Sequence, residues 1–311
     1  MSRYHDSIAR TEFYLSQSAY IGRFAPSPSG PLHFGSLVAA LGSYLQAKSQ
    51  HGKWLVRIED IDPPRELQGA SADILATLKA YGLIWDDEIV YQSQQSAFYE
   101  QVLATLEDKK LSYACTCTRK IIKQQGGLYL GNCRDKKHRY HQNALRINVT
   151  RLIKPITCFY DQLQGHIMLD KQQANEDFII KRKDTLYAYN LAVVIDDINQ
   201  RVSEIVRGAD LLPTTGKQIS LYQLLGKQVP TYIHLPLVVS KPGVKLSKQN
   251  HAVAIDKTKP IPTLLQALTF LGHKVPNLVD KSSCKTILDW AIKNWSLANV
   301  PKQTEIQLPP P

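Results

Sequence analysis

The sequence predicts an α/β protein in which one parallel strand–helix–strand domain is interrupted by an insert and followed by a short, mainly helical region. Three observations carry this expectation. Apolar runs at 20–25 (YIGRFA) and 54–58 (WLVRI) bracket a helical pattern in which Leu32, Leu37, Val38, Leu41, Tyr44 and Leu45 recur at steps of three and four. From about 92 to 176 the texture changes to a helix near 95–110, a cysteine cluster, a basic run and short strand-like pieces such as ALRINV and HIML. From 178 the α/β texture returns in FIIKR, LAVVID and SEIVRG, followed by a helix near 214–225 and the apolar run YIHLPLVV.

The expected division is an N-terminal extension over 1–19, the first half of the α/β domain over 20–91, the insert over 92–176, the second half over 177–250 and a helical region over 251–311 that ends in a frayed EIQLPPP. Strand, helix and strand in this order form a parallel unit, because parallel neighbours need a crossover. The first strand ends at Phe24 in a turn set by Pro26, Pro28 and Gly30, and the chain enters a helix near Pro31–Leu32, where proline suits the first turn. A helix N-terminus at the carboxyl edge of a parallel sheet offers N–H groups and a positive dipole end to nucleotide phosphates. His33, in that first turn, is expected to be neutral and able to donate one N–H to a phosphate, while Gly35 lets a ring or phosphate approach the backbone. A second helix is expected over roughly 66–81. An ordinary proline-rich turn with a surface histidine has the same local pattern. KLSK at 245–248 separates the two readings: two lysines three apart after Gly243 suit a triphosphate and the charge that develops on departing pyrophosphate.

A chain of 311 residues with 43% hydrophobic and 21% charged residues reads as soluble and globular, with room for two or three domains. It has no run of 18 apolar residues and no signal-peptide core near its start, so the expectation is a cytoplasmic protein without a membrane partner. The net charge of +11 is concentrated. Between Arg119 and Lys154 ten Lys/Arg face one acid, Asp135, which favours a polyanion-binding surface, most commonly for nucleic acid, over a merely solvated face. Of five cysteines, Cys115, Cys117 and Cys133 lie within 19 residues. This odd, clustered set favours zinc over a disulfide, with three unmetallated thiols as the alternative. A fourth ligand is needed, and Tyr129, Asp135, His138 and His141 are near enough, with spacing alone favouring a histidine. Cys158 and Cys284 are expected to be core thiols.

PSPSGPLHFGS resembles the first signature of class I aminoacyl-tRNA synthetases and KLSKQ the second, with Phe34, Ser36, Leu246 and Gln249 departing from the commonest forms. The flanks GRFAPSPSG, RIEDIDPPRE and EIVRGADLL are similar to glutamyl-tRNA synthetases, so the resemblance covers about 20–250 and implies a Rossmann-like catalytic domain. It implies a glutamate site in which Arg23 pairs with the side-chain carboxylate, Ala25 and Ser27 line the pocket, Glu59 accepts from the ammonium, and Tyr189 and Arg207 complete the wall. It further implies that His33, Gly35, Lys245 and Lys248 take ATP and carry catalysis. The Cys-x-Cys, Tyr, Cys order in a GxYxGxCR setting implies Tyr129 as the fourth zinc ligand. Only 62 residues follow Gln249, too few for an anticodon-binding domain, so the closest resemblance is to the short members of the family, the glutamyl-queuosine tRNA(Asp) synthetases. That implies a monomer that activates L-glutamate with ATP and magnesium, without awaiting tRNA. The glutamyl group would then pass to the queuosine cyclopentenediol in the anticodon loop of tRNA(Asp). A compact glutamyl-tRNA synthetase charging the tRNA 3′ end, and a non-catalytic tRNA-binding paralogue, are the alternatives. An unrelated nucleotidyltransferase would explain His33 with Lys248 but not EIVRG or the cysteines.

Overall fold

The computed structural model describes residues 19–245 and 253–308. The predicted parallel unit is present as β1 (Ile21–Phe24), α1 (Phe34–Ser49) and β2 (Lys53–Ile58), with Arg23 level with Leu55. After α2 (Ala70–Ala80), β3 (Val90–Tyr91) extends the sheet in parallel beyond β2. The expected second helix starts late because Pro63–Arg65 forms a separate 3-10 turn and Gly69, at φ 78°, holds the N-cap in a left-handed conformation that glycine adopts at little cost.

The middle of the chain holds α3 (Ser96–Asp108), β4 (Ser112–Cys115), α4 (Arg119–Gln124), β5 (Ala144–Ile147), β6 (Cys158–Asp161), β7 (Gly165–Met168), α5 (Lys171–Ala174) and β8 (Ile179–Lys181). β4, β5 and β8 form an antiparallel sheet, so FIIKR pairs with the insert rather than with the returning α/β domain. Its three-residue strand is too short to show periodicity, and only the partner across the sheet decides where it belongs. The β6–β7 hairpin lies beside Thr231–Leu235, a strand of the second half, where Gln162 N–H donates to the Tyr232 carbonyl at 2.8 Å.

The second half contains α6 (Tyr189–Asn199), β9 (Glu204–Gly208), α7 (Leu212–Leu224), β10 (Thr231–Leu235), β11 (Leu237–Lys241) and β12 (Val244–Lys245), and then come α8 (Pro260–Phe270), α9 (Cys284–Asn294) and β13 (Glu305–Gln307). β9 and β10 are parallel, and Ser203 N–H donates to the Ile21 carbonyl at 2.9 Å, which brings this pair against the other edge of β1. The tail expected to fray instead forms a parallel strand on β11, with Glu305 level with Leu237. The main core joins α1, β1 and β2 to α8 and α9 through side chains such as Leu37, Leu41, Trp54, Leu264, Leu268 and Leu288, each burial contributing about 1.5–3 kcal/mol. A Cβ on Gly42 would stand 2.5 Å from Leu235 Cδ1, so glycine is what lets α1 settle this closely on the sheet. A second core gathers α3, β5 and α6 around Tyr99, Leu145, Leu191 and Val194. No described helix is long and apolar enough to cross a membrane.

Candidate active site

Four separated segments meet at the carboxyl ends of β1, β2 and β9. The loop after β1 is pinned beneath them, since Glu59 N–H donates to the Pro26 carbonyl at 3.0 Å and Leu67 N–H to that of Pro28 at 2.9 Å. Gly30, at φ 135°, turns this loop into α1. His33 is the N-cap, one position before the expected first turn, and its Nδ1 accepts from Ser36 N–H at 3.3 Å. That bond makes Nδ1 an acceptor, so the neutral ring carries its proton on Nε2. Ser36 therefore serves through its backbone, and Phe34 packs edge-on against Phe270.

Between these segments lies a cavity of about 340 Å³. Arg23, Ala25, Ser27, Glu59, Tyr189 and Arg207 line it together with His33 and Gly35. The two lysines differ. Lys245 ends β12 by its backbone, while its side chain and all of Lys248 lie outside the described residues. The chain leaving that segment returns to the site: Ala254 bridges to His33, and Ile255 N–H donates to the Leu32 carbonyl at 3.0 Å.

Beneath the cavity is a buried charge network that the motifs did not announce. Arg23 holds Asp197 in a fork, Nε to Oδ1 at 3.0 Å and Nη2 to Oδ2 at 3.3 Å. Arg57 donates to Asp197 Oδ1 at 2.8 Å and lies 3.5 Å from Glu59 and 3.7 Å from Asp196. Burial alone would raise the Asp197 carboxyl, but Arg23 and Arg57 outweigh it and hold it below the usual carboxylate range. Glu59 behaves in the opposite sense. Burial, assisted by Asp197 and Asp196, outweighs Arg57 and Arg23 and pushes it up to about 7. In this network two arginines face three acids, with Arg207 a further buried cation on the cavity wall.

Arg207 is anchored from behind. Its Nε donates to His234 Nε2 at 3.0 Å, Nη1 to Gln218 at 2.8 Å and Nη2 to Thr215 at 2.8 Å. Because His234 Nε2 accepts, its Nδ1 carries the proton and donates to Asp161 Oδ2 at 2.7 Å. Of the five guanidinium N–H groups three are committed, which fixes Arg207 yet leaves donor capacity toward the cavity. Sequence reasoning missed Arg57, Asp161, Asp196, Asp197 and His234. The signals were two adjacent acids inside the apolar LAVVIDDI and a histidine inside the apolar strand YIHL.

The cysteine cluster assembles at the end of β4. The sulfurs of Cys115, Cys117 and Cys133 all lie within 4.8 Å of one another, Cys117 and Cys133 at 3.6 Å. Zn–S bonds of 2.3 Å in a tetrahedron put sulfurs about 3.8 Å apart, so this donor set fits zinc. The Tyr129 hydroxyl is at the cluster, accepting from Cys133 N–H at 2.9 Å, with the Arg146 guanidinium 3.8 Å over its ring. Burial is the largest influence on the Cys133 thiol and raises it, yet hydrogen bonds from Thr116 N–H, Tyr129 and the other thiols bring it down to about 6. The histidine favoured by spacing is elsewhere: among the described residues no histidine joins the three sulfurs, and His138 Nε2 instead meets Thr116 Oγ1 at 3.4 Å. Cys158 is exposed and so is not the expected core thiol, whereas Cys284 is half-buried and packs against the main core. Of the ten basic residues over 119–154, Arg134 and Arg146 turn inward to Asp177, and the other eight are exposed.

Residues 21–272 match the family of class I tRNA synthetases (E and Q), catalytic domain. The chain is 55% identical to the glutamyl-Q tRNA(Asp) synthetase of Photobacterium profundum over 95% of its own length and 94% of that protein. It is 56% identical to the corresponding proteins of Vibrio parahaemolyticus, over 92% of this chain and 96% of that one, and of Escherichia coli O6:H1, over 93% and 92%. The chain belongs to the glutamyl-Q tRNA(Asp) synthetase family. It is accordingly a ligase of the class I tRNA synthetase type. In fold it is similar to the glutamate–tRNA synthetase of Elizabethkingia anophelis, with a TM-score of 0.76 at 21% identity, over 93% of this chain and 68% of that one.

Proposed function

We propose that this synthetase forms glutamyl-adenylate from L-glutamate and ATP without tRNA, then transfers the glutamyl group to the cyclopentenediol of queuosine in the anticodon loop of tRNA(Asp). The observation that supports the reading is the convergence of eight motif residues on one cavity in which the buried Glu59 carboxyl is pushed up to about 7. The glutamate ammonium supplies a cation that favours the ionised form of that carboxyl. The ammonium meets Glu59, and the side-chain carboxylate meets Arg23, whose guanidinium Asp197 holds in place. Ala25, Ser27 and Tyr189 close the walls, and Arg207, fixed through His234, orients the amino acid. The α-carboxylate then attacks the α-phosphorus of ATP, and pyrophosphate leaves. His33, at the start of α1, and the backbone at Gly35 meet the phosphates, and Lys245 and Lys248 neutralise the leaving group.

Magnesium bound with ATP would screen the phosphate charge. Cys115, Cys117, Cys133 and the Tyr129 oxygen would hold zinc, which would supply structure by tying α4 and the basic segment to β4. The exposed Lys136, Lys137 and Arg139 grip the anticodon arm in the cytoplasm. Glutamate-dependent ATP–pyrophosphate exchange without RNA tests the first step. The wild type is expected to exchange and Arg23→Ala to lose nearly all activity; an Arg23→Ala variant with near-normal exchange overturns the glutamate assignment.

A further inference from the structure

Asp161 ends β6, on the insert's hairpin, yet it is buried beside His234 of β10. His234 is level with Arg207 on the neighbouring parallel strand, so Asp161, His234 and Arg207 form a line from the insert to the wall of the glutamate cavity. The two oxygens of Asp161 have different duties. Oδ1 accepts from three backbone N–H groups, those of Gln164 at 2.8 Å, Leu163 at 3.0 Å and His234 at 3.3 Å. Oδ2 accepts from His234 Nδ1 at 2.7 Å. Burial alone would raise this carboxyl, but the His234 ring N–H and the backbone N–H groups outweigh it and hold it below the usual carboxylate range. Burial also holds the His234 ring below its ordinary value despite Asp161, so the ring is neutral and has one proton to place. With that proton on Nδ1, Nε2 accepts from Arg207 Nε at 3.0 Å; with it on Nε2, two N–H groups would meet head-on. Thr215 Oγ1, 3.2 Å from Nε2, is no outlet for it, because that oxygen already accepts from Arg207 Nη2.

We propose that Asp161 is a positioning residue of the glutamate site: by accepting from His234 Nδ1 it selects the ring tautomer that lets Arg207 sit where it orients the amino acid. The inference rests on the reading of Arg207 given above, and it makes the insert a support of the amino-acid pocket. Its sharpest consequence concerns Asp161→Asn. The three backbone donors keep the side-chain oxygen on their side, so the amide nitrogen of the variant faces His234 Nδ1 and donates to it. The ring must then carry its proton on Nε2, against an Arg207 N–H that cannot be given up. Asp161→Ala removes the same negative charge but offers nothing to Nδ1, so Arg207 still dictates the correct tautomer. Alanine leaves three backbone donors without their acceptor and a void beside them, which makes it the variant with the larger loss of stability.

The test combines KM for glutamate in ATP–pyrophosphate exchange, thermal unfolding and the NMR shifts of the His234 ring nitrogens. Asp161→Asn is expected to raise KM for glutamate roughly tenfold or more, as loss of a charge-assisted hydrogen bond does, with KM for ATP near its wild-type value. Asp161→Ala is expected to raise it less while lowering Tm further, an inverted order that a purely structural role does not produce. The shifts are expected to show the proton on Nδ1 in the wild type and on Nε2 in Asp161→Asn. If Asp161→Ala does not fold, the shifts and KM of Asp161→Asn decide alone. A wild-type KM in Asp161→Asn, a KM that rises in the same order as Tm falls, or a proton that stays on Nδ1 in Asp161→Asn overturns the inference. Arg207→Ala with a near-wild-type KM for glutamate refutes instead the reading on which the inference rests.

Discussion

The pH dependence of glutamate binding follows from one residue. Glu59 titrates near 7 in the empty pocket because burial raises it more than Arg57 and Arg23 lower it. An ammonium bound beside it favours the ionised form, so binding must draw on the ionised fraction. That fraction is about nine-tenths at pH 8 and about one-tenth at pH 6, whereas the carboxylates and ammonium of glutamate keep their charges between those limits. The apparent affinity is therefore expected to fall roughly tenfold from pH 8 to pH 6, and KM for glutamate in the exchange reaction, at saturating ATP, reads it. Glu59→Gln keeps an acceptor but cannot titrate, so its KM is expected to be higher at pH 8 and nearly flat with pH. His33, Tyr189 and Asp210 also line the cavity, and the variant separates Glu59 from them. A wild-type KM independent of pH, or a slope that survives in Glu59→Gln, refutes the assignment of Glu59 to the ammonium.

Three further outcomes are expected. Without glutamate, Glu59 contributes stability that is fully present below its unfolded pKa near 4.5 and is lost as pH rises through about 7, at most about 3 kcal/mol; denaturant midpoints across pH 4.5–7.5 that fall less steeply in Glu59→Gln support this, and parallel curves refute it. Asp197→Asn strips two buried arginines of their counter-charge and is expected to cost about 3 kcal/mol or more, with glutamate raising Tm further in this variant than in the wild type because its carboxylate replaces the lost charge at Arg23; equal Tm shifts contradict this. The purified protein is expected to carry one zinc, lost in Cys117→Ser and bound roughly tenfold more weakly in Tyr129→Phe, as elemental analysis and chelator titration measure; unchanged zinc affinity in Tyr129→Phe removes the tyrosine from the ligand set.

Much of the architecture was legible because it rests on local chemistry. Leu37, Val38, Leu41 and Leu45 bury one another's neighbours at helical spacing, and the prolines and glycine before His33 force the loop that carries the site. What escaped depends on partners far away in sequence. Ile179–Lys181 has no periodicity of its own and joins whichever strand β5 offers. Glu305–Gln307 looks like a tail until β11 is beside it. The site divides in the same way. Arg23, Glu59, Tyr189 and Arg207 sit in recognisable motifs, but Asp197 matters only because α6 brings it under Arg23, 174 residues away. His234 likewise reads as one polar interruption in an apolar strand, and becomes informative once Asp161 and Arg207 stand on either side of its ring.

The basic segment bears on the last step. Neutralising Lys136, Lys137 and Arg139 is expected to weaken transfer and flatten its log–log salt dependence by about 2, while exchange continues; equal loss of both reactions would mean that the segment serves folding. The most direct test of the whole account is transfer of labelled glutamate to tRNA(Asp) with and without queuosine. The account predicts label only on the queuosine-bearing tRNA, in its anticodon loop. Label on the 3′ end of a tRNA lacking queuosine contradicts it.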